Sequence, residues 1–228
     1  MYKHKIHNPN NIIIKPKEIF CVIPFGHRCT SALVVKYASL RLFSLPFDWV
    51  DTLYPKKIQD ILENDFKDFI PNVHNNKFVN KYNIKLCHFN RDCDKGIIEY
   101  IRRIKRFNKI IQKDKKIFFV YVNEDYIFSK KYRNNRFNNN VFTQMLNLEK
   151  FLKKKYQKIN YTILYFNFFK HSIPKESNII NIVLFTNKIY DLYHEIPSEK
   201  FREYCGKILS KLFQTTFKSG YNHNLFNN

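Results

Sequence analysis

The chain of 228 residues predicts a single α/β domain: a mostly parallel sheet of about five strands with helices on both faces. Two observations carry this. Strand-like and helix-like segments alternate along the chain, an order that right-handed crossovers connect. The strand-like runs are apolar without interruption, as strands covered on both faces are.

Residues 1–17 are polar apart from Ile12, Ile13 and Ile14 and carry Pro9 and Pro16, which suits an N-terminal arm or edge element. Residues 19–25 (IFCVIPF) are a short apolar run closed by Gly26, a buried strand with Pro24 limiting its pairing near the end. From Cys29 the period changes. Leu33, Tyr37 and Leu40 recur at helical spacing to about Arg41, and Thr30 and Ser31 suit the first turn or cap. Leu45, Pro46, Phe47, Asp48 and Trp49 break that pattern, and a second helix over 55–69 aligns Ile58, Ile61, Leu62, Phe66 and Phe69. Residues 71–82 are Asn-rich loop, and 84–89 (IKLCHF) a short strand. Over 96–113 a helix carries Ile97, Ile101, Ile104, Phe107 and Ile111 in one stripe, with Arg102, Arg103, Arg106 and Lys109 on the other side. Residues 117–122 (IFFVYV) are the strongest strand signal, and 124–140 a long polar loop with the character of a flap. A helix over 141–157, strands over 161–168 and 179–185, and a helix over 198–213 follow. One catalytic-type domain over 18–215 and a frayed tail over 216–228 complete the expected organisation.

Composition narrows the classes. Apolar residues at 44% and charged residues at 26% exclude wholesale disorder. Lys+Arg 40 against Asp+Glu 19 gives +21, a field that attracts nucleic acid and other polyanions. The Lys-, Asn- and Ile-rich, Gly-poor usage is also what an AT-rich genome imposes, and the lysines are spread along the whole chain. Five cysteines without regular spacing make no disulfide scaffold and are expected as thiols in a reducing compartment. The opening lacks an apolar signal core, and no run approaches the roughly 20 apolar residues of a membrane span. A cytoplasmic protein without a membrane span is expected. Four glycines leave no GxGxxG, P-loop or GxSxG, which disfavours dinucleotide-binding, Walker ATPase and serine hydrolase sites. Cys87, His88, Cys93 and Asp94 have no second pair at zinc spacing. No cofactor or metal is expected.

In parallel α/β folds the ligand site lies outside the carboxyl ends of the strands. That rule selects 26–29, 87–94, 123–125, His171, Thr186 and Asn187. Cys29 falls at a strand–helix junction, where backbone N–H groups and the positive helix end stabilise a thiolate; the alternative is a small buried hydrophobe. His27 and Arg28 beside it favour the thiolate as well, and Gly26 permits a tight turn. His88 is a general base or a hydrogen-bonded strand end. Arg102, Arg103 and Arg106, three arginines in a lysine-biased chain, suggest a need for the planar guanidinium or a basic helix face. Asp48 is either a buried partner for one of them or a helix cap.

The segment Gly26-His27-Arg28-Cys29, then Leu40-Arg41-x-x-Ser44-x-Pro46-Phe47-Asp48-Trp49, resembles the opening pattern of a family labelled papain-like cysteine peptidases, with members in bacteria and large amoeba-infecting DNA viruses. Asn64-Asp65-Phe66, His88-Phe89 and Arg102-Arg103-x-x-Arg106-Phe107 resemble its later blocks, so the likeness covers roughly residues 18–190. It implies a cysteine hydrolase acting on a peptide or amide, with Cys29 as nucleophile and His88 as base. Asp48, Asp92 or Asn123 would orient the base, and Gly26, His27, Trp49, Arg102, Arg103, Arg106 and Asn123 would line the substrate site. The fold it implies is papain-like α+β, in place of the parallel sheet read above. Such a pattern also fits a glycan-modifying or nucleotide-sugar transferase, with Arg103 and Arg106 clamping the anion of a phosphorylated sugar donor. A third reading is a basic nucleic-acid-binding or virion protein without activity, placed in host cytoplasm or particle.

Overall fold

β2 (Phe20–Pro24), β3 (Lys116–Val122), β4 (Asn160–Asn167) and β5 (Ile179–Phe185) lie side by side and parallel, and β1 (Lys3–His7) joins β5 antiparallel, giving the order β1-β5-β4-β3-β2. The computed structural model describes residues 3–7, 20–51, 53–71, 78–86, 89, 92–113, 115–125, 135–185 and 195–214. The two faces are legible in β3 as a period of two. Ile117, Phe119 and Tyr121 enter one core, and Phe118, Val120 and Val122 the other. The first core is roofed by α2 (Pro55–Glu63), α3 (Cys93–Ile111) and α4 (Asn135–Lys155); the second by α1 (Thr30–Tyr37) and α5 (Glu195–Gln214). This is the α/β architecture expected from the sequence. The papain-like α+β alternative is not the one observed, because four of the five strands run parallel.

Several boundaries differ for physical reasons. Lys3–His7 is an edge strand, with Lys3 and Lys5 exposed as edge lysines that discourage further pairing. The second helix stops at Glu63, short of residue 69, where Asp65, Phe66 and Asp68 adopt positive φ and wind the chain into turns. Pro55 occupies its first turn, where the missing N–H costs nothing. α3 begins at Cys93, earlier than expected, because the Asp92 carboxylate accepts from the Lys95 N–H at 3.3 Å and caps it. α4 begins at Asn135, so residues 135–140 of the expected flap are helix, and 126–134 lie outside the described residues. The expected strand 84–89 contributes only isolated bridges, Lys85 to Val79 and Leu86 to Val50. The expected tail over 216–228 lies outside the described residues. Among the described residues, no helix is long and apolar enough to cross a membrane.

Gly206 sets the spacing of α5 on α1. A Cβ there would stand 2.6 Å from Tyr37 Cβ and 3.2 Å from the Val34 carbonyl oxygen. Gly206→Ala is therefore expected to destabilise by about 1–3 kcal/mol through overpacking, against a helix-propensity gain of about 1 kcal/mol. Urea unfolding checks this. A stabilised variant would show that the two helices separate freely.

Candidate active site

The carboxyl ends of β2 and β3 adjoin, since Phe25 N–H still donates to the Val120 carbonyl at 2.8 Å after β2 formally ends. The two following segments, Gly26–Cys29 and Asn123–Asp125, therefore meet at one rim. Gly26 is required there for a specific contact: a Cβ would lie 2.7 Å from the Phe47 carbonyl oxygen. Its role is to let the 45–49 turn pack behind the loop. Arg28 then takes φ +59°, a left-handed conformation that stores about 1 kcal/mol at the turn. Its guanidinium comes within 3.6 Å of Asp125 and 3.8 Å of Glu124.

His27 is fully buried, and its Nε2 bonds Asp125 Oδ1 at 2.8 Å. Tyr54, at the start of α2, donates to Asp125 Oδ2 at 2.8 Å and packs its ring 4.9 Å from the imidazole. Burial pushes the Asp125 carboxyl up, but the hydrogen bonds of His27 and Tyr54 and the charge of Arg28 outweigh it and hold the group below the usual carboxylate range. In the neutral tautomer that donates Nε2–H to this carboxylate, Nδ1 would carry the lone pair. That buried Nδ1 makes no hydrogen bond among the described residues.

Cys29 occupies the N-cap of α1 and is half-buried, unlike Cys21 and Cys205, which are buried. Burial lifts the Cys21 thiol to about 12 and raises Cys205 well above its ordinary value, so neither is a nucleophile near neutral pH. The next two residues fasten the helix start to β3. Thr30 Oγ1 donates to Glu124 and accepts from Arg202 Nε at 3.1 Å, and Ser31 Oγ accepts from the Val122 N–H at 3.1 Å. Glu124 is wholly enclosed; burial raises its carboxyl above the usual value, against the pull of Arg202, Thr30 and His27.

A band of rings continues along the rim from His27 through Tyr121 and Tyr165 to His171. His171 lies stacked on Phe142 with centroids 4.1 Å apart. Burial lowers its pKa to about 4, so its ring is neutral, and its Nε2 makes no hydrogen bond among the described residues. Asn123 reaches Asn138 of α4 at 3.4 Å while its own Oδ1 has no hydrogen-bond partner there. Buried polar atoms are rarely left so. Here three of them, with Glu124 Oε1, fall on one rim.

The remaining candidates lie elsewhere or outside the described residues. His88 and Cys87 are outside them. The Asp48 carboxylate is committed to Arg41 at 2.8 Å and to the Leu45 N–H at 3.1 Å, not to an imidazole, and Trp49 lies under Arg41 at 5.2 Å. Asp92 is an exposed cap. Arg103 is buried against Glu99 and over the Tyr100 ring at 4.7 Å. Arg106 donates to the Ser44 carbonyl at 2.7 Å, and Arg102 is exposed. Phe107 packs on Phe47 with centroids 5.8 Å apart. The two motif segments thus clasp one another through the Arg106–Ser44 and Phe47–Phe107 contacts, and Arg103 is held within its own helix by Glu99. Tyr54 and Arg202 were not foreseen. They come from α2 and α5, on opposite faces, and no spacing in the sequence joins them to His27. Among the described residues no cluster of three or more His, Cys, Asp or Glu is arranged to hold a metal ion.

No family model, curated protein or solved structure matches the chain. The likeness to papain-like cysteine peptidases stands on its motif residues alone.

Proposed function

We propose that the protein is a thiol-dependent hydrolase of amide or ester bonds, with Cys29 as nucleophile and His27 as its general base. The observation that carries this reading is the buried His27–Asp125 pair, its second imidazole nitrogen without a hydrogen bond among the described residues, two residues before a half-buried cysteine at a helix start. An imidazole oriented by a carboxylate on one nitrogen and open on the other is the arrangement that activates thiols and hydroxyls.

The steps follow from those groups. His27 Nδ1 takes the Cys29 proton, and the thiolate sulfur bonds the substrate carbonyl carbon. The resulting oxyanion is held by first-turn N–H groups of α1, which have no intrahelical acceptor. The imidazolium returns its proton to the leaving nitrogen or oxygen as the C–N or C–O bond breaks, and water then hydrolyses the thioester with His27 again as base. Asp125 keeps the tautomer and stabilises the imidazolium. Arg28 and Glu124 form the wall of the rim beside it.

The test is labelling with a fluorescent iodoacetamide at pH 7. One fast-reacting site is expected, lost in Cys29→Ala and retained in Cys21→Ala and Cys205→Ala. Undiminished fast labelling in Cys29→Ala would refute the assignment. Release of nitrophenol from simple nitrophenyl esters, absent in Cys29→Ala, is the accompanying activity readout.

A further inference from the structure

The amino-terminal ends of the central strands have a different character. α3 and α4 both end there, beside the starts of β3 and β4, and two adjoining hollows of about 260 and 910 Å³ meet at Lys113. α3 lines the smaller hollow with Arg102, Lys105, Arg106 and Lys109, and Lys115 closes it. The end of α4 and the turn after it line the larger one with Lys154, Lys155 and Lys158. Against these nine cations the described lining residues include one acid, Asp65, which is already paired with Lys155. Across the whole chain the ratio is 40 to 19. Compositional bias towards lysine therefore does not account for the trough.

Two physical observations strengthen this. Lysines in a last helical turn complement the helix dipole, which explains Lys109, Lys154 and Lys155. It does not explain Arg102 or Lys105, which stand further from the end of α3. Burial together with the neighbouring charges of Arg102 and Arg103 lowers Arg106, and burial with Lys113 lowers Lys115, so the cations are crowded enough to oppose one another. An anion seated among them relieves that repulsion.

We infer that this trough is a binding surface for the phosphodiester backbone of nucleic acid, engaged through charge and without base readout. The two hollows share Lys113 and are together far larger than one phosphate needs, which fits a polymer better than a small anion. Phe43 and Tyr156 line the two hollows, with the cations of Arg106 and Lys155 over their rings at 5.2 and 5.8 Å. The surface lies at the opposite ends of the strands from Cys29.

The experiment measures binding of fluorescein-labelled 20-nucleotide single strands and duplexes by anisotropy over a salt series. The rim variant carries Arg102→Gln, Lys105→Gln, Lys109→Gln and Lys113→Gln. Arg106 is spared because it anchors Ser44. A control loses the same charge at exposed lysines elsewhere: Lys36→Gln, Lys175→Gln, Lys200→Gln and Lys207→Gln. The rim variant is expected to bind about 30-fold more weakly, with the slope of log K against log salt shallower by about 3, while the control changes by less than about 3-fold. Comparison of the two labelled oligonucleotides shows which form of nucleic acid is preferred. Equal losses in rim variant and control would overturn the inference, as net charge alone would then explain binding. Binding to vesicles of phosphatidylserine and phosphatidylcholine, with neither oligonucleotide bound, would overturn it in favour of a membrane surface. Cys29→Ala leaves oligonucleotide binding unchanged.

Discussion

Asp125→Asn slows acylation of Cys29 by about 10²–10⁴-fold, the range over which a misoriented general base reduces proton transfer. The amide presents either an uncharged acceptor or an N–H to His27 Nε2. It no longer stabilises the imidazolium, and in the second orientation it forces the proton onto Nδ1. His27→Gln is expected to cost as much, and the double variant no more than either single one, because the pair acts as a unit. Rates come from pseudo-first-order iodoacetamide labelling and from nitrophenyl ester turnover, with unfolding by urea as the structural control. His88→Ala is the discriminating comparison. If it abolishes reactivity while Asp125→Asn and His27→Gln stay within about 3-fold of the parent, the base is His88 and the assignment to His27 is wrong. The pair also has a pH signature in stability. Because the folded-state pKa of Asp125 is depressed, its contribution is present above the ordinary carboxylate value and is lost as pH falls through the lower folded value.

Arg41→Ala produces the largest expected loss of stability. Asp48 has no exposed surface, and Arg41 supplies its ionic hydrogen bonds. Removing one partner of a buried pair leaves an uncompensated charge and costs about 3 kcal/mol, at the lower end of such cases because Arg41 itself is partly exposed. For a chain of this size that corresponds to about 6–12 °C in Tm. The pH dependence identifies the cause. Burial already holds the Asp48 carboxyl above its usual value, against the hydrogen bonds and charge of Arg41. The folded protein therefore binds that proton more tightly than the unfolded chain, and stability falls as pH rises through the raised value. Without Arg41 the value rises further, so the deficit of the variant is large at pH 7 and shrinks at pH 5. Calorimetric or dichroic melting at the two pH values decides it. A deficit independent of pH would assign the loss to packing of the guanidinium on Trp49 instead.

Residues 117–122 announce a strand as an uninterrupted apolar run. α3 announces a helix by apolar residues at helical spacing, but its buried face differs from the expected stripe: Ile101 is exposed, while Tyr100 and Arg103 are buried. The start of α4 gives no such signal. Asn138, Asn139 and Asn140 carry the polarity of a loop, yet Asn138 is buried because its amide meets Asn123. The rim of the sheet was legible because residues following parallel strands must gather there, and Gly26, His27, Cys29 and Asn123 did. Which acid would face His27 was not, since Glu124 and Asp125 are adjacent and only the twist of the chain after β3 separates their partners. The arginines of α3 were conspicuous for a sound reason, the need for a planar fork. A sequence does not distinguish a fork that grips a ligand from one that grips the Ser44 carbonyl.

The pairing of β1 with β5 has a consequence for biosynthesis. Lys3 stands opposite Phe185 and His7 opposite Asn181, so β1 is synthesised well before β5 and stays without its partner strand until β5 has been made. Until then the outer margin of the growing sheet has open amides and carbonyls, and closure depends on contacts distant in sequence, which form slowly. Deleting the first seven residues would leave that margin open permanently, and the product would be prone to stick to copies of itself edge to edge.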